Sequence, residues 1–150
     1  MKNSESIDAL NDLLARTYDA EAGYKDAAKN VKDNNLVTLF NANAEQRNTF
    51  GHEIKDCIKN LGGTPEKGQS LAGQAHQVWM DVKAAFTTKD DEAILKEVNR
   101  GEEYALEAYK NTLDKIQIGT PEYDRIVAQR NQISTIFLRT QNLENIYANG

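Results

Sequence analysis

Apolar residues return along this chain in alternating steps of three and four, the spacing that lines one face of an α-helix. Four long stretches carry the pattern. The first spans about 6–31, with Ile7, Leu10, Leu14, Thr17, Tyr24, Ala28 and Val31 on its stripe. The second spans about 35–61 through Leu36, Phe40, Ala44, Gly51, Ile54, Ile58 and Leu61. A third covers about 90–118, through Leu95, Val98, Ala105, Tyr109, Thr112 and Ile116, with Thr88 as its expected N-cap. The fourth covers about 121–147, with Ile126, Ile133, Phe137 and Gln141 inward.

The breaks between stretches are chemically explicit. Leu61-Gly62-Gly63-Thr64-Pro65 is a helix stop, with glycine at the cap and proline just beyond. Thr120-Pro121 is a helix start, a capping hydroxyl before a residue already fixed in φ. Around Asp33-Asn34-Asn35 only a few residues separate the first two helices, so they form an antiparallel hairpin. The last two form another. Residues 62–89 join the hairpins and carry a short helix over about 70–86, long enough to cross the bundle and leave the second and third helices parallel. The expected fold is all-α: one domain, 1–150, an up-down four-helix bundle with the single long crossover of ferritin-like folds.

Each stripe has one charged gap. Glu21, Arg47, Glu102 and Arg130 stand where an apolar residue belongs, one per helix. The halves also match locally: Glu21–Asn30 aligns with Glu102–Asn111, and Gln46-Arg47-Asn48 with Gln129-Arg130-Asn131, which points to an internal duplication. A charge in an apolar stripe must be paired, ligating or reaching for water. The simplest expectation is a buried network in which each guanidinium holds a carboxylate. The competing one makes Glu21 and Glu102 half of a dimetal carboxylate centre for iron or manganese, with oxidoreductase or metal-storage chemistry. That chemistry also needs a Glu-x-x-His pair from each of the other two helices. Neither pair is present. Glu45 is followed at the required spacing by Asn48, and the fourth helix offers Gln129-Arg130-Asn131-Gln132. No metal or other cofactor is therefore expected, and no catalytic residue is assigned.

Composition narrows the classes further. A net charge of −5, with basic residues scattered, argues against nucleic acid or an anionic membrane surface as partner. No segment approaches the roughly 20 apolar residues of a membrane span. The N-terminal residues lack the apolar core of a signal peptide, and Cys57 is the only cysteine, within an apolar run. A buried thiol in a reduced, cytoplasmic protein is the expectation. His52 falls on an outer face. His76 and Trp79 lie in the crossover, and with Tyr109 they make a candidate ligand pocket under an aromatic lid. Association with further copies, or with a protein partner, is left open.

Leu61-Gly-Gly-Thr-Pro65, Ser70-Leu-Ala-Gly73 and His76-Gln-Val-Trp79-Met-Asp-Val-Lys83 together resemble a bacterial family of ferritin-like four-helix bundles described as a domain of unknown function. Arg100-Gly-Glu-Glu103 and Ala108-Tyr109 extend the resemblance over nearly the whole chain. It implies a ferritin-like fold in a small cytoplasmic protein with no established activity, substrate or partner. The functional expectation is a non-enzymatic structural, stress-related or partner-binding bundle.

Overall fold

The computed structural model describes residues 3–66 and 74–149. They form five α-helices: α1 (Asn3–Asn30), α2 (Asn34–Asn60), α3 (Gln74–Ala85), α4 (Asp91–Leu113) and α5 (Pro121–Asn149), with a 3-10 turn over Phe86–Thr88. The helix starts follow from side-chain caps. Asp33 accepts from the Asn35 N–H at 2.8 Å, and Thr120 Oγ1 from the Tyr123 N–H at 3.1 Å. Each satisfies a donor that the first helical turn leaves without a partner. At α4 the cap is Asp90, accepting from Glu92 N, whereas Thr88 was expected there. Thr88 instead accepts from Asp90 N while donating to the Ala85 carbonyl, so it finishes the preceding turn.

The stops are equally local. Gly62 takes φ +88°, and the N–H of Gly63 returns to the Ile58 carbonyl at 2.9 Å, a Schellman ending that only glycine enters without strain. The end of α4 comes five residues earlier than expected. After Leu113 the chain tightens into turns that keep Ile116 buried, and Ser6 Oγ donates to the Lys115 carbonyl at 2.6 Å. A side chain from the first helix thus replaces the helical bond at that end. The beginning of the expected crossover helix, 70–73, lies outside the described residues.

Contacts between ends fix the topology. Asp91, at the start of α4, accepts from the N–H groups of Lys32 and Asp33 at 2.9 Å each. Ser6 meets the other end of α4, so α4 runs antiparallel to α1 and parallel to α2. The Tyr147 hydroxyl donates to Asp33, which places the end of α5 beside the start of α2. Because α1 packs on α2 and α4 while α5 packs on α4 and α2, the α2 and α4 helices face each other across the diagonal. The crossover helix α3 lies against α1 and α4. This is the ferritin-like arrangement. Among the described residues no helix is long and apolar enough to cross a membrane.

One register differs from expectation. On α5 the buried positions are Ile126, Gln129, Ile133 and Thr140, with Phe137 only partly covered and Gln141 exposed. The inward face is turned by one residue from Arg130 to Gln129, and from Gln141 to Thr140.

Cys57 is buried in the lower half of the core, as its apolar run required. Burial pushes its thiol up to about 11, with Arg125 a smaller opposing influence. Alkylation needs the thiolate. The native protein should therefore react slowly near neutrality and speed up about tenfold per pH unit toward pH 11. A fast, pH-independent reaction at pH 7, followed with a thiol reagent, would contradict this placement.

Candidate functional site

The core divides into two apolar clusters. One is built around Leu10, Leu14, Ile54, Ile58 and Tyr109, the other around Tyr24, Phe40, Leu95 and Val98. Between them runs a belt of buried polar side chains, at least one per bundle helix: Thr17 and Glu21 on α1, Arg47 on α2, Glu102 on α4 and Gln129 on α5. Such groups are tolerated in a dry interior only when they satisfy one another.

The strongest contact in the belt crosses the diagonal. Arg47 donates from Nη1 to Glu102 Oε1 at 2.9 Å, and from Nη2 to Oε1 and Oε2 at 2.8 and 2.6 Å. Glu102 is 0% exposed and Arg47 2%. The guanidinium carbon lies 5.5 Å from the centre of the Tyr24 ring, within cation–π range. Burial alone would weaken Arg47 as a cation, but the charge of Glu102, its hydrogen bonds and the neighbouring Tyr24 and Tyr109 together outweigh it, and its pKa is held above its ordinary value. The Tyr24 pKa is raised as well: burial, reinforced by the Glu102 carboxylate, makes its hydroxyl much harder to ionise and keeps it neutral.

The remaining members do not join this pair. Glu21 sits at the rim, accepting from Lys25 Nζ at 3.0 Å and Asn48 Nδ2 at 3.2 Å. Arg130 turns outward onto Asn131 Oδ1, because α5 presents the neighbouring Gln129 to the core. The four-membered network expected from the charged gaps is thus reduced to one buried pair, Arg47–Glu102. Gln129 fills the place expected of Arg130. It accepts from the Tyr109 hydroxyl at 2.6 Å and donates to Glu53 Oε1 and the Phe50 carbonyl at 2.9 and 3.3 Å. It ties three helices together without charge. The signal for it was available in the three- and four-residue steps from Ile126 to Gln129 to Ile133.

The candidate pocket at His76, Trp79 and Tyr109 is not assembled by the two aromatic residues. Trp79 packs edge-on to Tyr24, with centroids 5.4 Å apart, in one apolar cluster, while Tyr109 belongs to the other. The open groove of about 140 Å³ beside Trp79 is lined by residues of α1 and α3 and by Phe86, not by Tyr109. The His76 side chain lies outside the described residues. His52 is exposed.

Fitness for a dimetal centre can be judged from the donors. Both oxygens of Glu102 are engaged by a guanidinium, and Glu21 faces the rim. Glu45 is exposed, and α5 supplies an amide. Among the described residues no three His, Cys, Asp or Glu side chains come together to hold a metal ion. A divalent cation placed here would also stand beside a fixed positive charge, with too few anionic oxygens to offset it. The residues present do not fit the group.

Residues 5–115 match the profile of a family described as "Domain of unknown function (DUF2383)". No curated protein matches the chain. Among solved structures, a mutant of Dps1 from Mycobacterium smegmatis superposes with a TM-score of 0.73. It covers 95% of this chain and 97% of that one at 16% sequence identity. At that identity the likeness speaks for the ferritin-like fold alone.

Proposed function

The chain belongs to the DUF2383 family, and from that premise we propose that it is a non-catalytic ferritin-like bundle acting as a structural or partner-binding protein. One observation carries this reading. The position at the bundle centre where a metal-dependent relative would concentrate carboxylates is held by an arginine clamped on Glu102. A buried ion pair of this kind fixes which helices face each other and at what level. It engages both carboxylate oxygens of Glu102 at the diagonal. Activity would then reside in the outer helix faces, through which a protein partner or further copies of the chain bind.

The competing reading is a metal-binding protein that uses Glu21 and Glu102 with unconventional partners. Both make claims about protein purified without chelator. The proposed reading expects iron and manganese far below one ion per chain, and a melting temperature unmoved by EDTA. Stoichiometric metal that disappears in Glu102→Gln or Glu21→Ala, in protein that still melts cooperatively, would overturn it.

A further inference from the structure

The outer face of α5 differs in character from the rest of the surface. Between Arg125 and Glu144 the only charged residues are Arg130 and Arg139, in a chain that is 27% charged and carries a net charge of −5. Opposite the buried positions Ile126, Ile133 and Thr140, the helical repeat sets Ala128, Asn131, Thr135, Leu138, Asn142 and Ile146 along one strip. All six are exposed and none is charged. The two arginines stand at its edges, Arg130 leaning onto Asn131 Oδ1. Leu138 and Ile146 are 60% and 64% exposed. Among the described residues the other large exposed apolar side chains, Met80 and Ile118, lie apart, on α3 and in the turn before α5. A single exposed leucine is ordinary, whereas two apolar side chains on one uncharged strip mark a surface that is covered.

We propose that this strip is the contact face of a homodimer, in which α5 packs antiparallel on α5 of a second copy about a twofold axis midway between Thr135 and Leu138. The pairing follows from the positions along the helix. Thr135 meets Leu138 of the second copy, Asn131 meets Asn142, and the small Ala128 makes room for Ile146. Every contact occurs twice, as an isologous interface requires. Facing amides satisfy one another, since each carries both donors and an acceptor. Charge selects the occupant. Two identical chains of net charge −5 repel through most of their surfaces, but along this strip no acid opposes another. Size sets the strength. From Ala128 to Ile146 the strip is about 27 Å long and about 10 Å wide. That area falls short of the roughly 800 Å² per partner of a standard interface, so the dimer is a weak one that separates on dilution. The inference rests on the reading of the outer helix faces as the working surfaces, and adds which face and which partner.

Sedimentation velocity of the full chain over a wide concentration series tests it. The expected result is a reversible monomer–dimer equilibrium. Leu138→Arg and Ile146→Lys should each raise the dissociation constant at least about tenfold, because each sets a cation against the arginines at the edges. Their melting temperatures should not move, since both side chains are already exposed. Ile118→Lys, at an apolar residue off the strip, should leave the equilibrium unchanged. A monomer at every concentration overturns the proposal, as does a dimer indifferent to both strip variants or equally weakened by Ile118→Lys. Disulfide formation tests the register, because Cys57 is buried and contributes no background. Asn131→Cys/Asn142→Cys should cross-link much faster than either single variant, and equal rates would overturn the antiparallel pairing. Metal content separates this from the parent reading. A metal-free monomer overturns the dimer alone, whereas stoichiometric metal in a dimer overturns the non-catalytic reading and leaves the contact standing.

Discussion

Arg47→Ala should lower the stability of the fold by about 3–5 kcal/mol, read as a large fall in the urea midpoint with little change in slope. The magnitude follows from what is left behind rather than from what is removed. Glu102 is 0% exposed, and both its oxygens are engaged by Arg47. Without the guanidinium, a carboxylate is stranded between two apolar clusters, beside a tyrosine that is itself hard to ionise. The decisive comparison is the double variant Arg47→Met/Glu102→Leu. Removing both charges at similar volume should bring stability back to the wild-type value or above it. Under this account the pair specifies the arrangement and contributes little net stability. A single variant that loses less than about 1 kcal/mol would mean that water reaches Glu102, and the dry-core picture would fail.

Gly23→Ala carries the next largest effect, and its sign opposes helix propensity. Alanine in the middle of a helix is ordinarily favoured over glycine by about 1 kcal/mol. A Cβ at position 23, however, would sit 2.1 Å from Trp79 Cε3 and 2.5 Å from Cζ3, both in the indole ring system. A ring wedged against Tyr24 cannot yield by a small torsion, so α3 has to shift outward, and overpacking of this kind costs about 1–3 kcal/mol. Trp79 is the chain's one tryptophan, so its emission should move to the red as the indole loses its cover. Gly51→Ala is the matched control. There a Cβ meets Tyr18 at 3.6 Å, an ordinary contact, and propensity should make that variant neutral or slightly stabilising. Equal effects at the two glycines would show that α3 is not docked through Trp79.

Much of this fold could be read from the chain because its punctuation is strong. The stop at Gly62 and the start at Thr120-Pro121 are dictated by φ and by capping chemistry, and both occur where the sequence places them. The α5 register was less legible for a physical reason. Ile136, Phe137, Leu138, Leu143, Ile146 and Tyr147 surround that helix rather than marking one face, and Leu138 and Ile146 are 60% and 64% exposed. A one-residue error in phase is therefore weakly penalised by the pattern, and it exchanges Gln129 for Arg130. The end of α4 was hidden because the bond that replaces its last turn comes from Ser6, more than a hundred residues away. Glu21, Arg47 and Glu102 were legible as unusual, but their partners were not. Level along a hairpin suggests that neighbouring helices pair, whereas a long side chain aimed at the bundle axis meets the helix on the far side.

The diagonal placement of the ion pair has a consequence for the near-repeat of the two hairpins. A twofold relation that carries α1 to α4 and α2 to α5 would carry the contact Arg47–Glu102 to a twin, Arg130–Glu21. The twin is not made: Glu21 is held at the rim by Lys25 and Asn48, and Arg130 bonds to its neighbour Asn131. Among the described residues the ion pair braces the bundle along one diagonal, and its twin on the other is missing. The bundle therefore has a handed interior despite its repetitive sequence, and neither hairpin can take the other's place without leaving a charge stranded or a brace missing.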